Sequence, residues 1–232
     1  MKVWAIVPAA GIGRRMQSKT PKQYLNINGR PIIEISIGRL AALPYIERIV
    51  VMLNPEDTIW PSLRLDQNPK VVCQSGGDTR YQSVLNGLLY LQTLASADDW
   101  VLVHDAARPC VRLKDIDTLL HELEGHPVGG LLGSPVDNTL KRVDSRREVI
   151  ATVDRGDIWQ AFTPQMFRFG LLLDALTHVD RRSKTITDEA TAVELSGHKP
   201  RMVEGNRDNL KVTQPTDLEL AGQILNLQAL ET

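Results

Sequence analysis

Apolar, β-branched runs recur at 3–7, 46–53, 71–73 and 100–103, each separated from the next by a stretch with helical spacing. Runs this short and this uniformly apolar read as strands covered on both faces, and their alternation with helices predicts a parallel sheet. Segment 31–43 opens with a proline at a helix-start position and carries Ile33, Ile37 and Leu40 on one side. In 79–94, Thr79 and Gln82 fit a capping box, and Val84, Leu85, Leu88, Leu89 and Leu91 form an apolar stripe. The pattern predicts further helices over 114–124, 167–179, 188–195 and 215–227.

The stretch 136–159 breaks this alternation. Residues 139–143, a polar turn at 144–147 and residues 148–153 read as a β-hairpin. Its strands are too polar on both sides to be central in a sheet, yet too apolar for a free loop. Burial against a second copy is the economical expectation, so 136–159 is expected to be a projecting dimerisation arm. The alternative is an edge hairpin folded on its own domain.

Composition narrows the class. A chain of 232 residues, 42% hydrophobic, is long enough for one large α/β core, and a single domain over 1–232 is expected. A net charge of −1 argues against a general nucleic-acid binder, whose affinity comes from a basic face. No run of 18 apolar residues exists and the first residues lead straight into a strand, so a cytoplasmic protein with no membrane partner is expected. Cys73 and Cys110 have neither metal-type spacing nor a disulfide framework and are expected to be buried free thiols.

The candidate chemistry begins where the first strand ends. Pro8-Ala9-Ala10-Gly11-Ile12-Gly13 is a small-residue loop, followed by Arg14, Arg15, Lys19 and Lys22. Small residues let backbone N–H groups approach an anion, and clustered cations repel one another until an anion arrives. A nucleoside triphosphate fits both features, whereas the plain alternative is a strand-to-helix connection with basic surface residues. The loop is not a Walker A motif, and it lacks the third glycine of a Rossmann fingerprint. After the third strand, Gly76, Gly77, Asp78 and Thr79 open the long helix; Thr79 is an N-cap in any case, and the paired glycines would let peptide groups read a base edge.

Asp105, at the exit of the fourth strand, needs a partner if it is dry. Arg108, a ribose hydroxyl or Mg²⁺ would serve. His104 beside it reads as packing. Residues 185–191 start a helix whose free N–H groups suit a phosphate or are simply capped. Leu210 and Val212 suggest a short strand aiming Lys211 in a fixed direction.

Several motifs then line up in order: 8–16 with Pro-Lys-Gln-Tyr at 21–24, Gly-Gly-Asp-x-Arg at 76–80, His-Asp-Ala-Ala-Arg-Pro at 104–109, Thr-Pro-Gln at 163–165 and Thr-Asp-Glu at 187–189. Together they resemble the 2-C-methyl-D-erythritol 4-phosphate cytidylyltransferase family of the non-mevalonate isoprenoid pathway, over nearly the whole chain. The resemblance implies a Rossmann-like nucleotidyltransferase fold with a mostly parallel central sheet flanked by helices.

It also implies CTP as donor, with Gly11, Gly13, Arg15 and Lys22 around the triphosphate. Base and ribose would meet Ala9, Ala10, Gly77, Asp78, Ser83 and Asp105, with Pro8 and Arg108 completing the nucleotide's surroundings. Arg15, Lys22 and Lys211 would be the catalytic cations. The polyol phosphate would be held by Thr187 and Lys211, with Thr139 and Arg155 reaching over from the arm of a homodimeric partner. Mg²⁺ is the implied cofactor, with Asp105 as its candidate ligand, and no metal role falls to Asp208. The implied reaction passes CMP from CTP to 2-C-methyl-D-erythritol 4-phosphate, releasing pyrophosphate. A ribitol 5-phosphate cytidylyltransferase, a hexose-1-phosphate nucleotidyltransferase and a non-catalytic nucleotide-binding module remain as alternatives.

Overall fold

The computed structural model describes residues 2–11, 20–178 and 186–231. Seven strands form one sheet, in the order Arg201–Glu204, Gly129–Pro135, Trp159–Arg168, Trp100–Val103, Val3–Pro8, Ile46–Leu53, Val71–Ser75. The four anticipated strands are β1 (Val3–Pro8), β4 (Ile46–Leu53), β5 (Val71–Ser75) and β6 (Trp100–Val103). They pair in parallel, β1 lying between β4 and β6. β10 (Trp159–Arg168) runs antiparallel to both β6 and β7 (Gly129–Pro135), and β11 (Arg201–Glu204) pairs in parallel with β7.

Alternation along β1 builds a core on each face. Val3, Ala5 and Val7 pack with Ile33, Ile37 and Leu40 of α1 (Ile32–Ala41), in one cluster with Trp60 of the short α2 (Trp60–Leu63) and with Ile116 and Leu119 of α4 (Leu113–Leu123). Trp4 and Ile6 point the other way, towards Val84, Leu88 and Leu91 of α3 (Arg80–Leu91), α5 (Phe169–His178) and α6 (Glu189–Leu195). This two-sided burial makes the central strands apolar throughout. A third cluster, including Ile32, Cys110, Val212 and Ala221, lies under α7 (Pro215–Leu230). None of these helices is long and apolar enough to cross a membrane, among the described residues.

Several expectations need correction. Pro31 is the N-cap of α1 and pairs with Asn26 in a short ribbon of β2 (Asn26–Ile27) and β3 (Arg30–Pro31), so the helix starts one residue later. Residues 167 and 168 belong to β10, and α5 begins only at Phe169. The segment around Lys211 is not a strand but an irregular stretch. Cys73 is exposed, because β5 is the edge of the sheet. Cys110 is buried, and burial pushes its thiol up to about 12.

The hairpin forms as expected. β8 (Leu140–Val143) and β9 (Val149–Val153) pair antiparallel as a two-stranded sheet of their own. Its apolar side chains face solvent in the single chain: Val149 is 62% and Ile150 63% exposed.

Candidate active site

β1 sits at the topological switch point, with neighbours whose connections run in opposite directions across the sheet. In open α/β sheets the crevice outside the strand carboxyl ends at such a point is where ligands bind. A cavity lies there. Its walls are Pro8 at the end of β1 with Ala9, Ala10 and Gly11 after it, Lys22 and Gln23, Gly77, Asp78 and Thr79 before α3 with Arg80 and Ser83 in its first turn, the β6 exit from Asp105 to Ala107, and Lys211.

Backbone bonds fix these walls. Ala9 donates to Met52 O (2.8 Å) and Gly76 to Leu53 O (2.7 Å), drawing both loops onto the end of β4. The buried Gln23 amide donates to Ala9 O at 2.8 Å, tying the turn that carries Lys22 to the first loop. Gly76 is required by this approach: a Cβ there would stand 2.6 Å from the Ala10 Cβ and 3.1 Å from Leu53 O. Thr79 caps α3 by accepting from Gln82 N–H, and Ser83 Oγ accepts from Gly77 N–H at 3.0 Å while donating to Thr79 O.

Asp105 is the electrostatic centre. It is 6% exposed, and its oxygens meet Arg80 Nε at 2.9 Å and Lys211 Nζ at 2.6 Å, with Arg108 Nε further off at 3.7 Å. Burial alone pushes this carboxyl up, but Arg80, Lys211 and Arg108 together outweigh it and hold the group well below the usual carboxylate range. Arg80 in turn grips Glu189 through two bonds of 2.5 and 3.0 Å. Burial pushes Glu189 above the usual carboxylate range and Arg80 pulls it part of the way back, while the two bonds from a guanidinium that keeps its proton favour the carboxylate form.

The loop bearing Lys211 is held without a strand. Val212 donates to Ala107 O (2.8 Å), Asn209 Nδ2 to Thr163 O (2.8 Å), and Arg108 to Asn209 O (2.7 Å). Arg108 therefore points inward, over the Phe162 ring, and does not line the cavity.

His104 is fully buried between Thr163 Oγ1 at Nδ1 and Arg108 O at Nε2, both 3.1 Å. A carbonyl only accepts, so Nε2 carries the proton and Nδ1 accepts from Thr163, whose oxygen receives the Asp105 N–H at 3.0 Å. Burial drives this imidazole from 6.5 down to about 4. The unfolded chain then binds one more proton across that interval, so the contribution of His104 is intact above 6.5 and is lost as pH falls towards 4. At about 1.4 kcal/mol per pH unit the loss is about 3 kcal/mol. Urea unfolding followed from neutral to acid pH should show this slope in the wild type and a shallower one in His104→Gln; equal slopes would contradict it.

Other anticipated residues fall elsewhere. Gly13 and Arg15, with Arg14 and Lys19, lie outside the described residues, as does Thr185. Thr187 is exposed and pairs with Thr191 Oγ1 at 3.0 Å. The expected phosphate cradle on α6 is not open, because Ala190 N–H is taken by Gln165 Oε1 and Thr191 N–H by Asp188 Oδ1. Thr139 and Arg155 are exposed on the arm and do not line the cavity of their own chain. Asp208 is held by Arg112 at 2.7 Å and Gln228 at 3.1 Å.

Among the described residues, no group of three or more His, Cys, Asp or Glu side chains is arranged to hold a metal ion. Asp105 does not fit a direct Mg²⁺ ligand in this geometry, since both its oxygens already face cations.

Sequence reasoning assigned no role to Arg80, Glu189, Gln165 or Thr163, although each stands in a recognised motif. A signal was available for Arg80. It is the first residue of α3, where the helix dipole disfavours a cation, so its presence calls for carboxylates nearby.

The family model described as IspD, 2-C-methyl-D-erythritol 4-phosphate cytidylyltransferase, matches residues 3–227. A protein of that name from Hahella chejuensis (strain KCTC 2396) is 49% identical over 220 residues, spanning 95% of this chain and 91% of its own. Another from Pseudomonas fluorescens (strain SBW25) is 53% identical over 217 residues, spanning 93% and 92%. A solved 4-diphosphocytidyl-2C-methyl-D-erythritol synthase superposes with a TM-score of 0.84 at 38% identity, covering 97% of this chain and 98% of that one. The Francisella tularensis 2-C-methyl-D-erythritol 4-phosphate cytidylyltransferase superposes at 0.80 with 34% identity, covering 97% and 100%. Since the match runs from the first strand into the last helix and extends to the backbone, the chain belongs to the 2-C-methyl-D-erythritol 4-phosphate cytidylyltransferase family.

Proposed function

We propose that the chain transfers CMP from CTP to 2-C-methyl-D-erythritol 4-phosphate, giving 4-diphosphocytidyl-2-C-methyl-D-erythritol and pyrophosphate for isoprenoid precursor synthesis. The observation that carries this is a single cavity where the small-residue loop 8–11, Lys22, the Gly77–Ser83 segment, Asp105 and Lys211 converge. Base and ribose lie along Ala9, Ala10, Gly77, Asp78, Ser83 and Asp105 in this reading, and the triphosphate meets Gly11 and Lys22, with Gly13 and Arg15 assigned to it by the family resemblance.

Both substrates are polyanions, so their mutual repulsion is the first barrier. Lys22, Lys211 and Arg15 offset that charge and stabilise the equatorial oxygens of the α-phosphorus as they gain charge. A phosphate oxygen of the acceptor attacks the α-phosphorus in line; the new P–O bond forms as the α–β bridging bond breaks, and its electron pair leaves with pyrophosphate. The attacking oxygen carries no proton near neutral pH, so no general base is needed. A divalent cation bound with the nucleotide would add charge neutralisation beside Lys22 and Lys211.

The chain works, in this reading, as a cytoplasmic homodimer of single nucleotidyltransferase domains, with Thr139 and Arg155 of each arm reaching the partner's acceptor site alongside Lys211 and Thr187. The exposure of Val149 and Ile150 supports it, because monomers seldom leave such side chains uncovered on a projecting element. Ile150→Asp should sediment as a monomer and lose about tenfold or more in turnover. A wild type that sediments as a monomer would remove the arm from the mechanism.

Pyrophosphate release tests the reaction itself. CTP with 2-C-methyl-D-erythritol 4-phosphate should turn over, whereas ribitol 5-phosphate or no acceptor should give little. Equal or better turnover with ribitol 5-phosphate would reassign the acceptor, and CTP binding without turnover on either would make the chain a nucleotide-binding module.

A further inference from the structure

Glu189 is 1% exposed, does not line the cavity, and has no part in the reaction as derived above. A buried ion pair is weak evidence for stability, since desolvation offsets most of the attraction and an apolar pair often serves as well. A carboxylate kept at such a position therefore calls for a geometric reason.

The geometry supplies one. Both oxygens of Glu189 hold the two terminal nitrogens of Arg80, at 2.5 and 3.0 Å, which fixes the plane of the guanidinium. The remaining edge of that plane, Nε, meets Asp105 Oδ1 at 2.9 Å. Asp105 Oδ2 meets Lys211 at 2.6 Å. Glu189 itself stands on an anchored base: Gln165 of β10 donates to Asp188 at 2.8 Å and accepts from Ala190 N–H at 2.9 Å, locking the first turn of α6 to the strand beside β6.

We propose that Glu189 is a positioning residue for CMP transfer, acting through Arg80 to hold the Asp105 carboxylate in the orientation that receives the nucleotide and sets Lys211. The inference rests on the reaction proposed above. Misplacing a positioned group by about 1 Å costs up to about 100-fold.

The test is Glu189→Gln, which keeps the shape and removes the charge, assayed beside the wild type for pyrophosphate release with CTP and 2-C-methyl-D-erythritol 4-phosphate. Folded Glu189→Gln should lose about 10- to 100-fold in kcat/KM for CTP. In an Asp105→Asn background the same change should cost no more than about twofold, because the group it positions is already gone. A wild type without activity would sink the proposed reaction and leave no basis for this role. An active wild type with Glu189→Gln within about twofold of it, whatever its melting temperature, would overturn the positioning role, as would full multiplication of the two losses in the double variant. If Glu189→Gln does not fold, Glu189→Asp, which keeps the charge one methylene short, is judged by the same two criteria.

Discussion

Lys22→Ala should lower turnover at saturating CTP by about 10²- to 10³-fold, by analogy with the loss of one preorganised donor to a developing oxyanion. Lys22 lines the cavity, and its Nζ lies 3.4 Å from Val212 O, against the loop that carries Lys211. The turn that bears it is fixed by Gln23, so the cation is positioned before any substrate arrives. Positive charge placed in this way is more effective in the transition state, where the equatorial oxygens carry more charge, and so the loss falls on kcat. Steady-state kinetics at saturating CTP, with circular dichroism to establish folding, gives the answer. Near-normal turnover would remove Lys22 from the catalytic cations.

Arg80→Ala should have the largest effect on stability, about 3–5 kcal/mol, because it leaves Glu189 buried without a counter-charge and strips Asp105 of one partner. For a chain of this length that corresponds to a fall of about 6–20 °C in melting temperature. Denaturant unfolding measures it. Replacing both members, as Arg80→Met with Glu189→Met, should recover much of the stability while leaving activity low, since the apolar pair carries no uncompensated charge and holds nothing in place. A loss below about 1 kcal/mol for Arg80→Ala would mean that the buried cluster is solvated and its pairing weak.

Three of the strands legible from sequence are buried on both faces, while β5 at the sheet edge and the hairpin strands β8 and β9 were read from shorter apolar runs and a polar turn. Each of β1, β4 and β6 shows its apolar run because helices cover it above and below. β7 was not legible, since Gly129, Gly130 and Gly133 stand where β-branched residues are expected. They are glycines because neighbouring strands leave no room: a Cβ on Gly133 would fall 2.6 Å from Gln160 O. β10 was hidden by its polar residues Gln160, Thr163 and Gln165. Two of these turn out to support the site, Thr163 holding the Asp105 backbone and Gln165 holding α6.

The same division runs through the site. Loops at strand ends announce themselves by glycines and cations, so the walls at 8–11, 77–83 and 105–107 were readable. Long-range partners do not. Arg80 and Glu189 are 109 residues apart, and no local pattern pairs them. Arg108 was the nearest cation in sequence to Asp105, yet Arg80 and Lys211 approach it more closely. The direction of Lys211, attributed to a strand, comes from the Val212 bond to Ala107.

A structure of the chain crystallised with CTP and magnesium tests the central claim most directly. Cytosine should lie against Ala10, Gly77 and Ser83, the ribose against Asp105, and the phosphates along Gly11 towards Lys22. CTP bound at any other place, or absent from this cavity at saturating concentration, would contradict it.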